Sequence, residues 1–111
     1  MEVLVTTEFE NWYADLDKKT TADVYRIVSL LEAKGVTLSF PYSSAIEGAS
    51  IALRELRVQS AGRPIRIFYA FDPARDAVLL IAGDKTGADR FYEKMIPKAE
   101  VLWKEYLDEN F

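Results

Sequence analysis

Gly62-Arg63-Pro64-Ile65-Arg66-Ile67-Phe68-Tyr69-Ala70-Phe71, then Asp72-Pro73-Ala74-Arg75-Asp76, then Val78-Leu79-Leu80-Ile81-Ala82, is the stretch that decides the fold. Residues 65–71 are β-branched, aromatic or apolar except for one arginine, an acidic turn with a proline ends them, and a second apolar run follows. Upstream, residues 51–58 form a third β-prone run, set off by the turn signal Ala61-Gly62. Such short connections between consecutive strands predict an antiparallel meander. Within 65–71, alternation sends Ile65, Ile67 and Tyr69 to one face and Arg66, Phe68 and Ala70 to the other.

Working outward, Val3-Leu4-Val5-Thr6 reads as a short strand. Thr7-Glu8-Phe9-Glu10 is a capping-box-like start, and Phe9, Trp12, Tyr13 and Leu16 recur at helical spacing behind it. A second helix restarts at Asp17 or Thr20, carries Val24, Ile27, Val28 and Leu31 on one face and stops at Gly35. Residues 36–48, with Pro41 and several serines, read as a surface loop. The last helix is expected to begin near Thr86 and to run through Phe91, Met95, Ala99, Leu102 and Tyr106, with a kink or break at Pro97. The aromatic set Phe9, Trp12, Tyr13, Trp103 and Tyr106 is expected to pack between the first and last helices, with part of it open to a partner. The order β-α-α-β-β-β-α predicts an α+β domain: an N-terminal strand and helical hairpin packed on a small antiparallel twisted sheet, followed by a C-terminal helix. No linker or repeat divides residues 1–111, so a single domain is expected.

The chain has 111 residues, 50% of them hydrophobic and 29% charged, with neither cysteine nor histidine. Disulfides, thiol nucleophiles and thiolate zinc sites are excluded, and catalysis would have to use Arg, Lys, Tyr, Asp or Glu. No apolar run approaches the roughly 20 residues that span a bilayer, and the N-terminus lacks a signal-peptide pattern, so a cytoplasmic protein with no membrane partner is expected. Charge is uneven: residues 48–71 are +3, through Arg54, Arg57, Arg63 and Arg66 against Glu55, while the remainder is −7. A local basic site on an acidic body suggests a defined anionic contact.

Leu53-Arg54-Glu55-Leu56-Arg57, Gly62-Arg63-Pro64-Ile65-Arg66-Ile67-Phe68-Tyr69-Ala70-Phe71 and Gly83-Asp84-Lys85-Thr86-Gly87 together resemble the RelE/ParE superfamily of bacterial toxins, and within it the phage-derived, HigB-like branch. The resemblance implies the toxin of a type II toxin-antitoxin pair, a ribosome-dependent mRNA endoribonuclease that inhibits translation without metal or other cofactor. It implies a cognate helix-turn-helix antitoxin, with operator DNA reached only through that antitoxin, and the ribosome and mRNA as targets. The alternatives are a ParE-like, non-enzymatic gyrase poison and a degenerate, non-toxic antitoxin-binding module.

Metal-free RNA cleavage uses the ribose 2'-OH against its neighbouring phosphate, and arginine suits the developing charge because its planar guanidinium donates paired hydrogen bonds to phosphate oxygens. On the resemblance, Arg66 is a phosphate contact; the structural alternative is a salt bridge to Glu55 or to a carboxylate of the last helix. Arg57 either converges on the same anion or is a solvated rim charge. Lys85, expected at a helix N-terminus where backbone N–H groups favour anions, matches a basic position of the mRNA-cleaving members. Tyr92 matches a tyrosine of that helix; a neighbouring cation would lower its phenol pKa, while the alternative is core packing beside Phe91. These four, Arg66, Lys85, Tyr92 and Arg57, form the candidate catalytic set, and Arg54, Arg63 and Arg90 are candidate RNA or ribosome contacts. Histidines that act in some HigB toxins have no counterpart, so acid/base work falls to Lys85, Tyr92, Asp84 or Asp89. No metal site is expected: Asp72 and Asp76 read as turn formers, and Asp84 and Asp89 as caps.

Overall fold

The computed structural model describes all residues, Met1–Phe111. The chain runs β1 (Val3–Val5), α1 (Thr7–Ala14), α2 (Lys18–Lys34), a 3-10 turn (Gly35–Thr37), β2 (Ser43–Ala45), β3 (Arg54–Ser60), β4 (Arg63–Phe71), β5 (Ala77–Asp84) and α3 (Phe91–Asn110). The five strands form one sheet in the order β1-β5-β4-β3-β2. The meander β3-β4-β5 is antiparallel, as its short turns require, and β2 pairs antiparallel with β3. β1 instead pairs parallel with β5, through Val3↔Ala77, Leu4↔Val78 and Val5↔Leu79. The sheet is therefore mixed, not purely antiparallel. No tight turn ties β1 to β5, and the long connection through α1 to β4 permits the parallel pairing.

Two cores flank the sheet. On one face the α1-α2 hairpin buries Phe9, Val24, Ile27 and Leu31 against Leu56, Val58, Ile65, Ile67 and Tyr69. On the other, α3 packs Phe91 and Ala99 against Leu53, Phe68, Val78 and Leu80. The alternation read from residues 65–71 holds, since Ile67 and Tyr69 belong to the first core and Phe68 to the second. A β-bulge opposite Phe68/Tyr69 shifts the phase of β5, so Leu79 faces the hairpin, Leu80 and Ile81 both face α3, and Ala82 returns to the hairpin face. The aromatic set is divided accordingly: Phe9, Trp12 and Tyr13 belong to the hairpin core, whereas Trp103 and Tyr106 stack with each other at 5.8 Å in the α3 core. They do not pack together between the first and last helices, because the sheet lies between the two cores.

Caps set the hairpin. Thr6, one residue before the position expected, caps α1 by accepting the Phe9 N–H, and Asp17 caps α2 by accepting the Thr20 N–H at 2.8 Å. Gly35 ends α2 with φ +55°, a conformation glycine adopts without strain. Two expected features differ. Residues 43–45 of the expected loop form β2, held by pairing with β3 despite weak β-propensity. The last helix starts at Phe91, not near Thr86: Asp84 Oδ1 accepts the Thr86 N–H, and Gly87 at φ +63° belongs to a turn. α3 then passes through Pro97 without a break.

The C-terminal half of α3 is tied to the β4-β5 turn by Tyr106, whose hydroxyl donates to Asp72 Oδ2 at 2.7 Å, while Asp72 Oδ1 accepts the Asp76 N–H at 2.9 Å. Asp72 and Asp76 are thus turn formers. Burial, then the Asp72 hydrogen bond and charge, push the Tyr106 phenol up to about 12. Because the folded-state value lies above the ordinary 10.0, the stability this proton contributes is present below pH 10 and is lost as pH rises towards about 12. Tyr106→Phe leaves Asp72, which is buried, without that donor. The expected cost is about 1–3 kcal/mol at neutral pH, with a shallower loss of stability in the alkaline range, read by urea unfolding at several pH values.

Candidate functional site

Alternation along β3 puts Glu55 and Arg57 on the α3 face, and Arg54, Leu56 and Val58 on the hairpin face. Arg66 on β4 is the cross-strand neighbour of Arg57, and Phe68 that of Glu55. Glu55 is the hub. Its Oε2 accepts from Ser44 Oγ at 2.9 Å and from Arg57 Nη1 at 3.2 Å. Its Oε1 accepts from the Tyr92 hydroxyl at 2.6 Å and lies 3.7 Å from Arg66 Nε. Opposite charges and three donors around one buried carboxylate offset the cost of removing it from water.

Arg66 is 5% exposed. Its Nη1 donates to the Ile65 carbonyl at 3.0 Å, but Nε is buried and has no hydrogen-bond partner. An orphaned buried donor costs on the order of 1–3 kcal/mol, and such costs concentrate where a ligand completes the set. Arg57, with a side chain 30% exposed, reaches outward and lies over the Phe40 ring at 5.3 Å. The contact with Glu55 foreseen as the structural alternative for Arg66 is present, and it brings the arginine to the same point as Arg57 and Tyr92.

Tyr92 closes the cluster from the first turn of α3. Its ring packs on Phe68 at 5.9 Å and on Phe91 at 5.3 Å, so it serves the core and the cluster together. Gly83 leaves the room Phe91 needs, since a Cβ there would stand 3.1 Å from the Phe91 ring. Lys85 Nζ sits over the Tyr92 ring at 5.5 Å. The phenol pKa moves opposite to the sequence expectation: burial first, then the hydrogen bond it donates to Glu55 and the charge of that carboxylate, raise it, and Arg66 opposes them incompletely. Tyr92 therefore stays protonated at neutral pH and is a donor. Lys85 is not at a helix N-terminus, because the turn at 85–90 separates it from α3; its charge reaches the cluster through the aromatic ring instead.

The other predicted contacts lie elsewhere. On the hairpin face, Arg54 donates to Ser43 Oγ at 3.1 Å and to the Tyr69 hydroxyl at 3.3 Å. Arg63 donates to Thr20 Oγ1 at 2.6 Å and pairs with Asp84 at 3.9 Å. Arg90 is exposed, pairs with Glu93 at 3.8 Å, and shares with Lys85 and Tyr92 the lining of an open depression of about 320 Å³. Arg57, Arg66, Lys85 and Tyr92 thus converge, Arg90 borders them, and Arg54 and Arg63 do not join. No group of three or more acidic side chains is placed to hold a metal ion. Sequence reasoning treated Glu55 only as a salt-bridge partner, although its place two residues before Arg57 on the same strand face could have marked it. Ser44 carried no such signal, because β2 has no strand pattern of its own.

The chain matches the family of phage-derived Gp49-like proteins (DUF891) over residues 11–104. It is 39% identical over 102 residues to the candidate toxin HigB3 of Mycobacterium tuberculosis, covering 90% of this chain and 88% of that one. To the candidate toxin HigB2 of the same organism it is 36% identical over 99 residues, covering 86% of this chain but only 49% of the longer relative. Among solved structures, the crystal structure of a metal-bound toxin from Helicobacter pylori superposes with a TM-score of 0.54 at 12% identity, over 79% of this chain and 98% of that one, a likeness of fold alone. With the family model spanning most of the chain and HigB3 aligned along nearly its whole length, this protein belongs to the phage-derived Gp49-like family and is a HigB-like member of it.

Proposed function

We propose that the chain is the toxin of a type II toxin-antitoxin pair and that it cleaves mRNA on the ribosome at the Glu55-Arg57-Arg66-Tyr92 cluster. One observation carries this reading: two cross-strand arginines and a protonated tyrosine converge on one buried carboxylate, a lysine lies over the tyrosine's ring, and a guanidinium Nε is left without an acceptor. Arg66 and Arg57 hold the scissile phosphate and neutralise the charge that builds on its oxygens. Glu55, released from Arg66 as the phosphate takes its place, accepts the 2'-OH proton. Tyr92, kept protonated, donates to the departing 5' oxygen, and Lys85 sets the potential around its ring. The attacking oxygen bonds to phosphorus, the P–O5' bond breaks, and a cyclic phosphate and a free 5' hydroxyl result. The partner that neutralises the toxin is its antitoxin, a helix-turn-helix protein, and operator DNA is bound only through it.

Induced expression with mRNA 5' ends mapped and nucleoid damage scored in the same cells tests this. Wild type is expected to give discrete cuts within translated frames. Arg57→Ala, at a partly exposed side chain, and Tyr92→Phe are each expected to lower the cutting rate about 10²-fold or more. Tyr92→Phe also leaves the buried Glu55 one donor short and should cost about 1–3 kcal/mol of stability, read by urea unfolding. A gyrase-poisoning reading has one observation in its favour, the burial of Arg66 beside Glu55 on an acidic chain with an isoelectric point of about 4.8. Broken chromosomes with intact mRNA would select it.

A further inference from the structure

β1 is a terminal strand of the sheet, and no segment of the chain pairs with its outer side. The Ala77 N–H donates to the Glu2 carbonyl and the Thr6 N–H to the Leu79 carbonyl, so the even-numbered residues 2, 4 and 6 turn their backbone groups towards β5. In a parallel ladder the alternate residues, Val3 and Val5, then turn theirs outward. Natural edge strands are ordinarily blunted by being very short, or by lysine, proline, a bulge or a cover. β1 is short, at three residues, but it carries none of the other devices.

An open groove lies on each side of this edge. On the hairpin side a cavity of about 480 Å³ is lined mainly by apolar side chains, among them Val3, Val5 and the 67% exposed Tyr25, together with Glu10 and Glu32. On the α3 side a second, of about 540 Å³, combines Leu4, Val5 and Leu102 with Glu8, Glu105 and Glu109. No lysine or arginine lines either groove. Glu8 and Glu10 have a local reason, since they stand in the first turn of α1 where the helix dipole favours negative charge. Glu105 and Glu109 have none. They stand near the C-terminal end of α3, where the dipole disfavours carboxylates and no basic residue in the last turn offsets them.

We propose that the β1 edge docks an extended, basic-flanked segment of a partner protein, which adds as a sixth strand, sends alternate apolar side chains into the two grooves and meets the glutamates with lysine or arginine. Main-chain hydrogen bonds to Val3 and Val5 supply affinity, and the acidic rims supply selectivity. A second copy of this chain is disfavoured, because pairing β1 with β1 brings the same glutamates together. β5 and β4 separate this edge from Glu55 on β3, so the inference stands or falls independently of the cleavage reading.

Random short peptides displayed on phage, selected against the full chain, test it. The enriched pool should alternate apolar residues with lysine or arginine at the ends, and a synthetic peptide from it should protect the Val3 and Val5 amides from hydrogen exchange. Binding should weaken about tenfold or more in Val5→Pro, which removes only an outward N–H, and in the double variant Glu32→Lys/Glu105→Lys at exposed positions, which keeps the test valid should the proline disturb folding. No enrichment, enrichment without basic residues, binding indifferent to the charge reversal, or self-association of the free chain through this edge would each overturn the proposal.

Discussion

Arg66→Ala is expected to remove mRNA cleavage, lowering the rate of the folded chain about 10²- to 10³-fold. The loss corresponds to about 2.7–4 kcal/mol, the scale of one preorganised donor to a developing oxyanion. The variant breaks the buried pair with Glu55 from the arginine side and loses the Nη1 bond to the Ile65 carbonyl, so its stability should fall by about 3–5 kcal/mol at most. Glu55 keeps Arg57, Ser44 and Tyr92 as partners, and activity is compared at a temperature where urea unfolding shows the variant folded. Arg66→Lys is the sharper comparison: it restores the charge but not the planar pair of donors, so activity should stay near that of the alanine variant. Mapping 5' ends after induction, beside a purified translation system, reads both. Undiminished cutting in Arg66→Ala would sink the assignment of this arginine to the phosphate.

Glu55→Gln is expected to have the largest combined effect. The amide keeps the shape and can still accept from Tyr92, but it leaves the buried guanidinium of Arg66 without its anion and Arg57 without its pair. Breaking a buried ion pair from one side costs about 3–5 kcal/mol, which urea unfolding would register. Restoring neutrality with apolar residues, as in Glu55→Leu/Arg66→Met, should recover much of that stability and none of the activity. With the proton acceptor gone, cleavage by Glu55→Gln should fall by about 10²- to 10⁴-fold even at temperatures where the variant is folded. Sulfate should raise its melting temperature more than that of wild type, because an anion binding only the folded state stabilises it and the freed guanidiniums bind anions better. Equal responses to sulfate would mean that Glu55 does not compete with an anion for Arg66.

Much of this was legible in the chain. The three β-prone runs, the turns between them, the helical hairpin with its Asp17 cap and Gly35 stop, and the face alternation at Arg66 all follow from local pattern. Arg66 stood out because a charge inside an apolar strand needs a partner wherever the strand is placed. The turn at Asp72 and Asp76 was equally readable, since it depends on hydrogen bonds within five consecutive residues.

Other features depend on residues far apart. β2 is a strand only because β3 offers it a ladder, and β1 runs parallel to β5 because nothing local fixes its direction. The Tyr92 phenol shifts up and not down because burial, and then Glu55, 37 residues away in the chain and 2.6 Å from the hydroxyl, outweigh the neighbouring cation. Lys85 lost its helix terminus to the left-handed Gly87 turn and gained an aromatic face instead. By itself, then, the sequence determined the helical hairpin, the meander, the basic stretch and the family, because propensity, turn chemistry, alternation and motif spacing are short-range. Only the tertiary structure decided which charges meet: placing α3 on the face opposite the hairpin gathers Arg57, Arg66 and Tyr92 around Glu55, leaves Arg54 and Arg63 on the other side, and frees the β1 edge between two acidic grooves. Burial and charge pairing are set by neighbours in space, which local pattern does not contain.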